Sequence, residues 1–417
     1  IVSLFSYLKS QVSILDVVGR YVTLRPAGTY HKGSCPFHKE TDASFTVSPD
    51  KQIFYCFGCQ AGGDVIAFLS KVENCNQWDA AQLLISQYNI AIPASVSKEA
   101  AVMAEQARDR KSYFAVCSFV AQWAHEQLRL DARAKAYVAA RAISNESVMR
   151  YQIGYLPGGS AAMTQLVKAA AKENILAKDL IATGFLFDST TSLRSPFEYR
   201  ILFPITDALG RHCAFGGRIF IESDTRAKYY NSRESEFFQK GKLLFGFDLA
   251  KKSMQEKKHV FLVEGYVDCV AMAQHGYPAT VATLGTACTL DHLQQLSRFV
   301  EVVYVVYDGD AAGRKAMLRM AQLCWPVNLE LRVVVLEGKE DPASFLSKGG
   351  DFALALDRAQ DIFSFYVRSL VAQFEEKTLA QKMHAVDDIV DLIGKIPDMV
   401  KQEFLLQDAS RAMRLPI

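Results

Sequence analysis

The 417-residue sequence lacks the features of a membrane protein, of a disulfide-stabilised secreted protein and of a uniformly basic nucleic-acid binder. No continuous apolar run is long enough to cross a bilayer, and the amino end carries no secretory signal pattern. The formal net charge is only +2, so a surface that binds nucleic acid must be a local patch. Half of the residues are hydrophobic, which is typical of a globular protein with two or three domains.

Cysteine is present in an odd number, nine, which does not suit a complete disulfide framework. Three cysteines cluster with a histidine, and the other six are scattered in apolar surroundings. This usage favours metal ligands plus buried thiols in a reducing cytoplasm. The scattered cysteines are Cys75, Cys117, Cys213, Cys269, Cys288 and Cys324.

The clustered cysteines have the spacing of a metal site. Cys35 and His38 form C-x2-H, and Cys56 and Cys59 form C-x2-C. Two such knuckles supply four ligands for a tetrahedral structural zinc, although three ordinary cytosolic thiols and a chance histidine would give the same spacing. The residues between the knuckles alternate like two short strands, so we predict a zinc ribbon.

Basic and aromatic residues interleave around these ligands, as they do in proteins that hold single-stranded nucleic acid. The alternative is that the rings fill a small core, and we favour it for Phe45 and Phe54. The candidates are Tyr21, Arg25, Tyr30, His31, Lys32, Lys51, Phe54 and Tyr55.

Acidic residues follow several predicted strands in the second half of the chain. Residues 302–307 precede Asp308 and Asp310, residues 260–263 precede Glu264, and residues 331–336 precede a segment that contains Asp341. Ligand sites of open α/β sheets lie at such strand ends, and clustered carboxylates favour magnesium or manganese. An ordinary Asp-Gly turn is the alternative at residue 308. Asp268 either faces the same site or caps the helix after Glu264.

Cations between residues 113 and 250 are candidates for contacts with a triphosphate or a template. From spacing alone, a solvated surface charge is the more common explanation for each of them. The candidates are Arg141, Arg200, Arg218, Lys228 and Lys240, with Asn231 as a neutral hydrogen-bonding partner.

Two sets of motifs resemble one family. Val-Glu-Gly-Tyr-Val-Asp (263–268) and Tyr-Asp-Gly-Asp-Ala-Ala-Gly (307–313) resemble the Toprim domain of bacterial DnaG-type primases. The string of residues 35–64 is similar to the zinc-binding domain of the same family. Further motifs are similar to basic segments that line the family's groove for template and nucleotide. They contain Arg141, Arg200, Arg218, Lys228, Tyr229, Asn231 and Lys240.

The resemblance implies an α/β multidomain fold with five segments. They are a zinc-binding ribbon domain at 1–95, a linker at 96–112 that is a solvated helix or a flexible tether, a mixed α+β basic subdomain at 113–250, a Toprim subdomain with a Rossmann-like parallel sheet at 251–345, and a helical bundle at 346–417. Family members usually continue into a helicase-binding domain, which we expect this chain to lack.

The resemblance also implies a function. We expect a DNA-directed RNA polymerase that makes short RNA primers on single-stranded DNA from ribonucleoside triphosphates, with the replicative helicase as a partner. Glu264, Asp308 and Asp310 would be catalytic, and together with Asp341 they would hold two Mg²⁺ or Mn²⁺ ions. A Toprim nuclease with a zinc ribbon that docks on DNA is the alternative, and a binding module without catalysis is a third possibility.

Two residues depart from the family's pattern. Glu198 occupies a position where many relatives carry arginine, which predicts that one phosphate contact is missing. Ala343 replaces the second acidic residue of an Asp-Pro-Asp motif, which predicts a weaker metal position.

Overall fold

A computed structural model describes residues 4–38, 43–73, 75–93, 98–189, 192–221, 223–307, 317, 320, 323, 327, 329–336, 340–371, 377–396 and 398–413. The chain forms two compact units. The first contains residues 1–119, 167–183 and 208–212, and the second contains residues 120–166, 184–207 and 213–417.

The first unit is built on an antiparallel five-stranded sheet in which each strand pairs with its neighbour in the chain. Its strands are β1 (Arg25–Ala27), β2 (Tyr30–Gly33), β3 (Phe45–Ser48), β4 (Ile53–Cys56) and β5 (Gly62–Gly63). Four helices accompany it: α1 (Leu4–Gln11), α2 (Ile14–Val18), α3 (Val65–Val72) and α4 (Gln77–Tyr88). Phe45, Phe54 and Phe68 pack together in the core with ring centroids 5.4 to 6.0 Å apart.

The helices after the ribbon begin where the sequence provides a cap. Asp64 accepts hydrogen bonds from the backbone N–H groups of Ile66 and Ala67 and so starts α3. Asn76 starts α4 in the same way. Helix α5 (Lys98–Leu130) follows as one element of 33 residues and includes most of the predicted linker. The predicted boundary at residue 112 falls inside this helix.

The basic part of the second unit contains an antiparallel sheet with the order β11-β10-β9-β6. Its strands are β6 (Gly154–Leu156), β9 (Arg200–Thr206), β10 (His212–Ile219) and β11 (Tyr229–Asn231), and a separate hairpin pairs β7 (Phe187–Asp188) with β8 (Leu193–Arg194). The helices in this part of the sequence are α6 (Ala132–Ala140), α7 (Asn145–Arg150), α8 (Ser160–Lys172), α9 (Ala177–Ala182) and α10 (Phe247–Lys257). Ser144 caps α7, as its sequence predicts.

A mostly parallel sheet follows, with the order β13-β12-β14-β15-β16. Its strands are β12 (His259–Val263), β13 (Thr280–Ala282), β14 (Val302–Val305), β15 (Glu330–Val333) and β16 (Gln360–Asp361), and only β16 runs antiparallel to its neighbour. The register aligns Leu262 with Val305, so β12 and β14 end at the same edge of the sheet. This edge is where the sequence analysis expects the acidic residues.

Helices complete the second unit. They are α11 (Tyr266–Gln274), α12 (Leu290–Leu296), α13 (Pro342–Ser347), α14 (Phe352–Asp357), α15 (Ile362–Val371), α16 (Leu379–Gly394) and α17 (Met399–Met413). The predicted fold class, a zinc ribbon with a mixed α/β body and carboxyl-terminal helices, is therefore confirmed. Within the part of the chain that the structure describes, no helix combines the length and the apolar character that spanning a membrane requires.

Candidate active site and zinc centre

The four predicted zinc ligands lie together at one end of the ribbon. Their ligand atoms all lie within 4.8 Å of one another. Cys35 Sγ is 3.8 Å from Cys59 Sγ, and Cys56 Sγ is 3.7 Å from His38 Nδ1. A tetrahedral zinc about 2.3 Å from each sulfur would hold two sulfurs about 3.8 Å apart, so the residues fit this ion.

Nearby donors favour the thiolate at one of the three cysteine ligands, Cys56, whereas burial raises the pKa of the Cys35 and Cys59 thiols. Burial alone would raise the pKa of the Cys56 thiol, but hydrogen bonds from Ser44 and from the Cys59 backbone N–H outweigh it and lower the pKa. Gly58 leaves room for the His38 ring, because a Cβ at this position would lie 2.5 Å from His38 Nε2. Any other residue at position 58 would displace this ligand.

One face of the ribbon sheet carries exposed cations and rings. The strand register aligns Arg25 with Lys32, Lys32 with Thr46, and Thr46 with Tyr55, so these side chains share a face. The Tyr55 side chain is exposed, and its ring contacts the exposed ring of Phe57 at a centroid distance of 5.0 Å. Phe54 is buried, as expected for a core residue. Phe57 is not among the candidates that the sequence indicates.

A cavity of about 430 Å³ in the second unit gathers many of the predicted site residues. Five of its lining residues are predicted nucleotide or template contacts: Arg141, Arg218, Lys228, Tyr229 and Asn231. Two more are predicted metal ligands, Glu264 and Asp341. The cavity therefore combines cations and carboxylates, which a nucleoside triphosphate with its metal ions requires.

Arg218 is the most enclosed cation of the cavity. Its side chain is 4% exposed and lies near two aromatic rings, those of Tyr137 at 5.7 Å and Tyr229 at 5.1 Å. Its Nη1 donates a hydrogen bond to the Tyr229 hydroxyl at 2.6 Å, whereas its buried Nε has no partner among the described residues. Arg141 and Lys228 are exposed at the cavity.

The acidic side of the cavity contains Glu264 and Asp268, which flank the start of α11, and Asp341. Asp268 accepts a hydrogen bond from the Ala343 backbone N–H, and Asp341 accepts one from the Ser344 backbone N–H. Asp268 therefore lines the site, which resolves the alternatives that its sequence left open. These three carboxylates do not form a group as compact as the zinc ligands within the described part of the chain.

Asp308 and Asp310 lie outside the described residues. In the sequence they directly follow Tyr307. The backbone N–H of Val306 donates a hydrogen bond to the Leu262 carbonyl near the end of β12. Their predicted contribution to a magnesium site remains a prediction.

Two predicted cations are not in the cavity lining. Arg200 is only 2% exposed, and its guanidinium donates to the backbone carbonyls of Pro196, Gly217, Ala227 and Lys228. This geometry suits an anchor for the loop before β11 and leaves Arg200 out of the site that we propose. Lys240 also lies outside the lining, and its backbone carbonyl accepts a hydrogen bond from buried His292.

Glu198 is a structural anchor. Its side chain is 1% exposed and accepts hydrogen bonds from Arg194 and from the backbone N–H groups of Gly159 and Ser195. Burial would raise the pKa of this carboxyl, but these donors outweigh it and lower the pKa. The charge that departs from the family's pattern is therefore neutralised by a neighbouring arginine of the same chain.

Family models match the chain in four consecutive segments. Residues 2–100 match the CHC2 zinc finger, and residues 123–251 match the N-terminal domain of the DNA primase catalytic core. Residues 261–346 match a Toprim-like model, and residues 363–417 match the DnaB-helicase binding domain of primase.

Similar proteins cover nearly the whole chain. The DNA primase of Aquifex aeolicus is 34% identical over 416 residues, which are 98% of this chain and 78% of that protein. The DNA primase of Halalkalibacterium halodurans is 32% identical over 98% of this chain and 68% of its own length. The chain belongs to the DnaG-type DNA primase family. As a DNA primase, it is an enzyme that makes RNA primers.

Solved structures agree with this assignment. The crystal structure of the zinc-binding and RNA polymerase domains of Aquifex aeolicus primase matches all of this chain and 98% of its own, with a TM-score of 0.64 and 31% identity. The structure of a DnaG primase catalytic domain bound to single-stranded DNA matches 74% of this chain with a TM-score of 0.65 and 30% identity.

One expectation from the sequence is wrong. We expected the helicase-binding domain of the family to be absent, but residues 363–417 match the family model for that domain. These residues include α16 and α17, which the sequence analysis interpreted only as a helical bundle. Helical periodicity alone carries no information about a binding partner, so the segment was identified as helical but not as a separate family module.

Proposed function

We propose that this primase transfers ribonucleotides from triphosphates onto a growing RNA chain, using single-stranded DNA as template. The observation that supports this reaction is the shared cavity, where Arg218 and Lys228 lie in the same lining as Glu264 and Asp341. A triphosphate needs cations for its phosphates and carboxylates for its metal ions, and this cavity offers both. The template and the substrates are those implied by the family.

Each cavity residue has a proposed part in this reaction. Arg218 lies close to the rings of Tyr137 and Tyr229 and would direct its guanidinium to a phosphate, which suits its planar set of donors. Lys228 and Arg141 are exposed and would contact the triphosphate or the template. The Tyr229 ring would pack near the nucleotide and keep Arg218 in place through its hydroxyl.

The donor set of the cavity fits magnesium or manganese, because carboxylate oxygens are hard ligands. We propose that Glu264, Asp308 and Asp310 hold the catalytic ions and that Asp341 assists. Bound ions would supply charge neutralisation for the triphosphate and a lower pKa for the primer 3′-hydroxyl. Asp268 would orient the turn at Ala343, since it already accepts that backbone N–H.

We also propose that the first unit binds one structural zinc through Cys35, His38, Cys56 and Cys59, and that its exposed sheet face contacts the template. The supporting observation is the row of Arg25, Lys32, Thr46 and Tyr55 across four adjacent strands. Cations would follow the phosphates, while exposed rings would stack on bases.

The domain limits predicted from the sequence remain our proposal, with family matches that begin and end near them. We place the enzyme at the bacterial replication fork, in the cytoplasm, with the replicative helicase as a partner. Residues 363–417 are the segment proposed to contact it. Leu379, Met383 and Val390 of α16 are at least half exposed, and their spacing places them on one helical face.

The decisive experiment supplies single-stranded DNA, four ribonucleotides and Mg²⁺ and examines the products. We expect short RNA chains that require template. Cleavage of the DNA without RNA synthesis would support the Toprim nuclease, and binding of DNA without any reaction would support the binding module. Replacing Leu379 with glutamate should weaken capture by the helicase without changing RNA synthesis in the absence of helicase.

A further inference from the structure

Tyr266 connects the loop of Glu264 to the antiparallel basic sheet. It lies two residues after Glu264, and its side chain is 4% exposed. Its ring stacks on Phe203 of β9 with a centroid distance of 5.2 Å and an angle of 10° between the planes. The same ring meets Phe245 edge-on at 4.8 Å. The start of α11 is therefore fixed by a ring that contacts another sheet.

Gly216 of β10 provides the space for this ring. A Cβ at position 216 would lie 2.4 Å from Cζ and 2.5 Å from both Cε2 and the hydroxyl of Tyr266. Real Cβ atoms essentially never approach so closely, so alanine at this position would displace the ring. The glycine two residues before Arg218 is thus explained by a contact with a residue 50 positions later in the chain.

The hydroxyl extends the same contact by two hydrogen bonds. Tyr266 donates to Asn231 Oδ1 at 2.6 Å, and Asn231 Nδ2 donates to the Leu284 carbonyl at 2.7 Å. Asn231 is the register partner of Gly216 in β11. One asparagine therefore connects the basic sheet, the start of α11 and the chain after β13.

We propose that Tyr266 is a positioning residue for primer synthesis. It fixes the loop of Glu264 relative to the sheet that carries Arg218, and it does so through Asn231. The inference rests on the proposed function of the cavity. The sequence predicts that Asn231 contacts nucleotide or template. The proposal instead assigns it a structural link between Tyr266 and Leu284, because both ends of its amide are hydrogen-bonded to protein.

The expected effect follows from the geometry of the reaction. A triphosphate that contacts Arg218 on one side and the metal ligands on the other requires a fixed distance between them. A displacement of about 1 Å in such a site can reduce a rate by about 100-fold. Removing one hydroxyl while the ring stays in place should have a smaller effect, on the order of tenfold.

Tyr266→Phe tests the proposal directly, with Tyr151→Phe as a matched control. Tyr151 is also buried and also stacks on Phe245, at 5.6 Å, but does not line the cavity. Both variants lose one buried hydroxyl. We expect kcat for primer synthesis to fall about tenfold in Tyr266→Phe, with the KM for ribonucleotides changed less than twofold. In Tyr151→Phe, both constants should stay within twofold of the wild type.

A double variant tests the route through Asn231. If Tyr266 acts through Asn231, then Tyr266→Phe combined with Asn231→Ala should be no slower than the slower single variant.

Gly216→Ala should cause the same loss of kcat, because its Cβ would displace the Tyr266 ring. If Gly216→Ala does not fold, Tyr266→Phe and the double variant still test the proposal. An unchanged kcat in Tyr266→Phe, an equal loss in Tyr151→Phe, or independent losses in the double variant would overturn the inference. Wild-type protein that makes no RNA would instead contradict the proposed function.

Discussion

The hydrogen bonds of Glu198 allow us to predict how much its substitution lowers the free energy of unfolding. Four hydrogen bonds end on its carboxylate, two from Arg194 and one each from the backbone of Gly159 and Ser195. Glu198→Gln replaces one of the two oxygens with an NH₂ group, so two of the four donors would face another donor. A hydrogen bond to a charged group contributes about 1.5–3 kcal/mol. The Arg194 side chain is 48% exposed and can rehydrate, which limits the loss.

We therefore expect Glu198→Gln to lower the free energy of unfolding by about 2–3 kcal/mol. For a cooperative body of the size of the second unit, that corresponds to a decrease of about 3–5 °C in the melting temperature. Thermal unfolding followed by circular dichroism measures it. Glu256→Gln is the matched control, because its pair with Lys252 is exposed and long, at 3.9 Å. The control should change the free energy by less than about 0.5 kcal/mol.

The effect of Glu198 should depend on pH in one direction. Its folded pKa is lowered, so its contribution is fully present above the ordinary carboxyl pKa of about 4.3 and is lost as the pH falls through the folded pKa. The difference between the wild type and Glu198→Gln should stay constant from about pH 7 to pH 5 and decrease below about pH 4. A difference that grows on acidification would contradict the assignment.

Glu198→Arg, which introduces the residue that the resemblance leads us to expect at this position, gives the sharpest contrast. Glu198→Arg would bury a second cation beside Arg194 and against two backbone N–H donors, so it should be less stable than Glu198→Gln. If Glu198→Arg proves as stable as the wild type and binds single-stranded DNA more tightly, then Glu198 marks a missing phosphate contact and our reasoning is refuted.

Three further variants test the two sites. Cys59→Ser should release the zinc and lower primer initiation, which metal analysis and a primer assay would measure; a wild type without zinc would refute the ribbon site. Lys228→Ala should weaken ribonucleotide or template binding by about tenfold at an unchanged melting temperature, and unchanged affinities would make Lys228 an ordinary surface charge. Arg218→Lys keeps the charge but loses the planar donors, so we expect lower nucleotide affinity than in the wild type; equal affinity would exclude a contact that needs the guanidinium.

The sequence predicted the features whose signals are local. Cys35 and Cys56 each have a second ligand within three residues, so the two knuckles could be recognised from spacing, and the four ligand atoms do lie together. The strands before Glu264 and Asp308 could be recognised from their apolar runs, and β12 and β14 do pair in parallel. Both features depend on short stretches of chain.

The sequence did not predict features that depend on long-range contacts. Arg200 and Arg218 both lie in motifs that resemble the basic segments of the family. In the structure, Arg200 donates hydrogen bonds to backbone carbonyls, whereas Arg218 lines the cavity. Tyr266 and Gly216 are 50 positions apart in the sequence, and neither residue type by itself indicates that the two are in contact. Glu198 could be identified as unusual, but its partner Arg194 was needed to explain it.

The central claim is that the cavity of Arg218 and Glu264 is where primers are made, and one variant tests it most directly. In Glu264→Gln, RNA synthesis on single-stranded DNA with Mg²⁺ should fall by at least about 100-fold, because the substitution removes the charge of a proposed metal ligand. The melting temperature and the affinity for single-stranded DNA should stay near those of the wild type. Synthesis at the wild-type rate in a folded Glu264→Gln protein would contradict the claim.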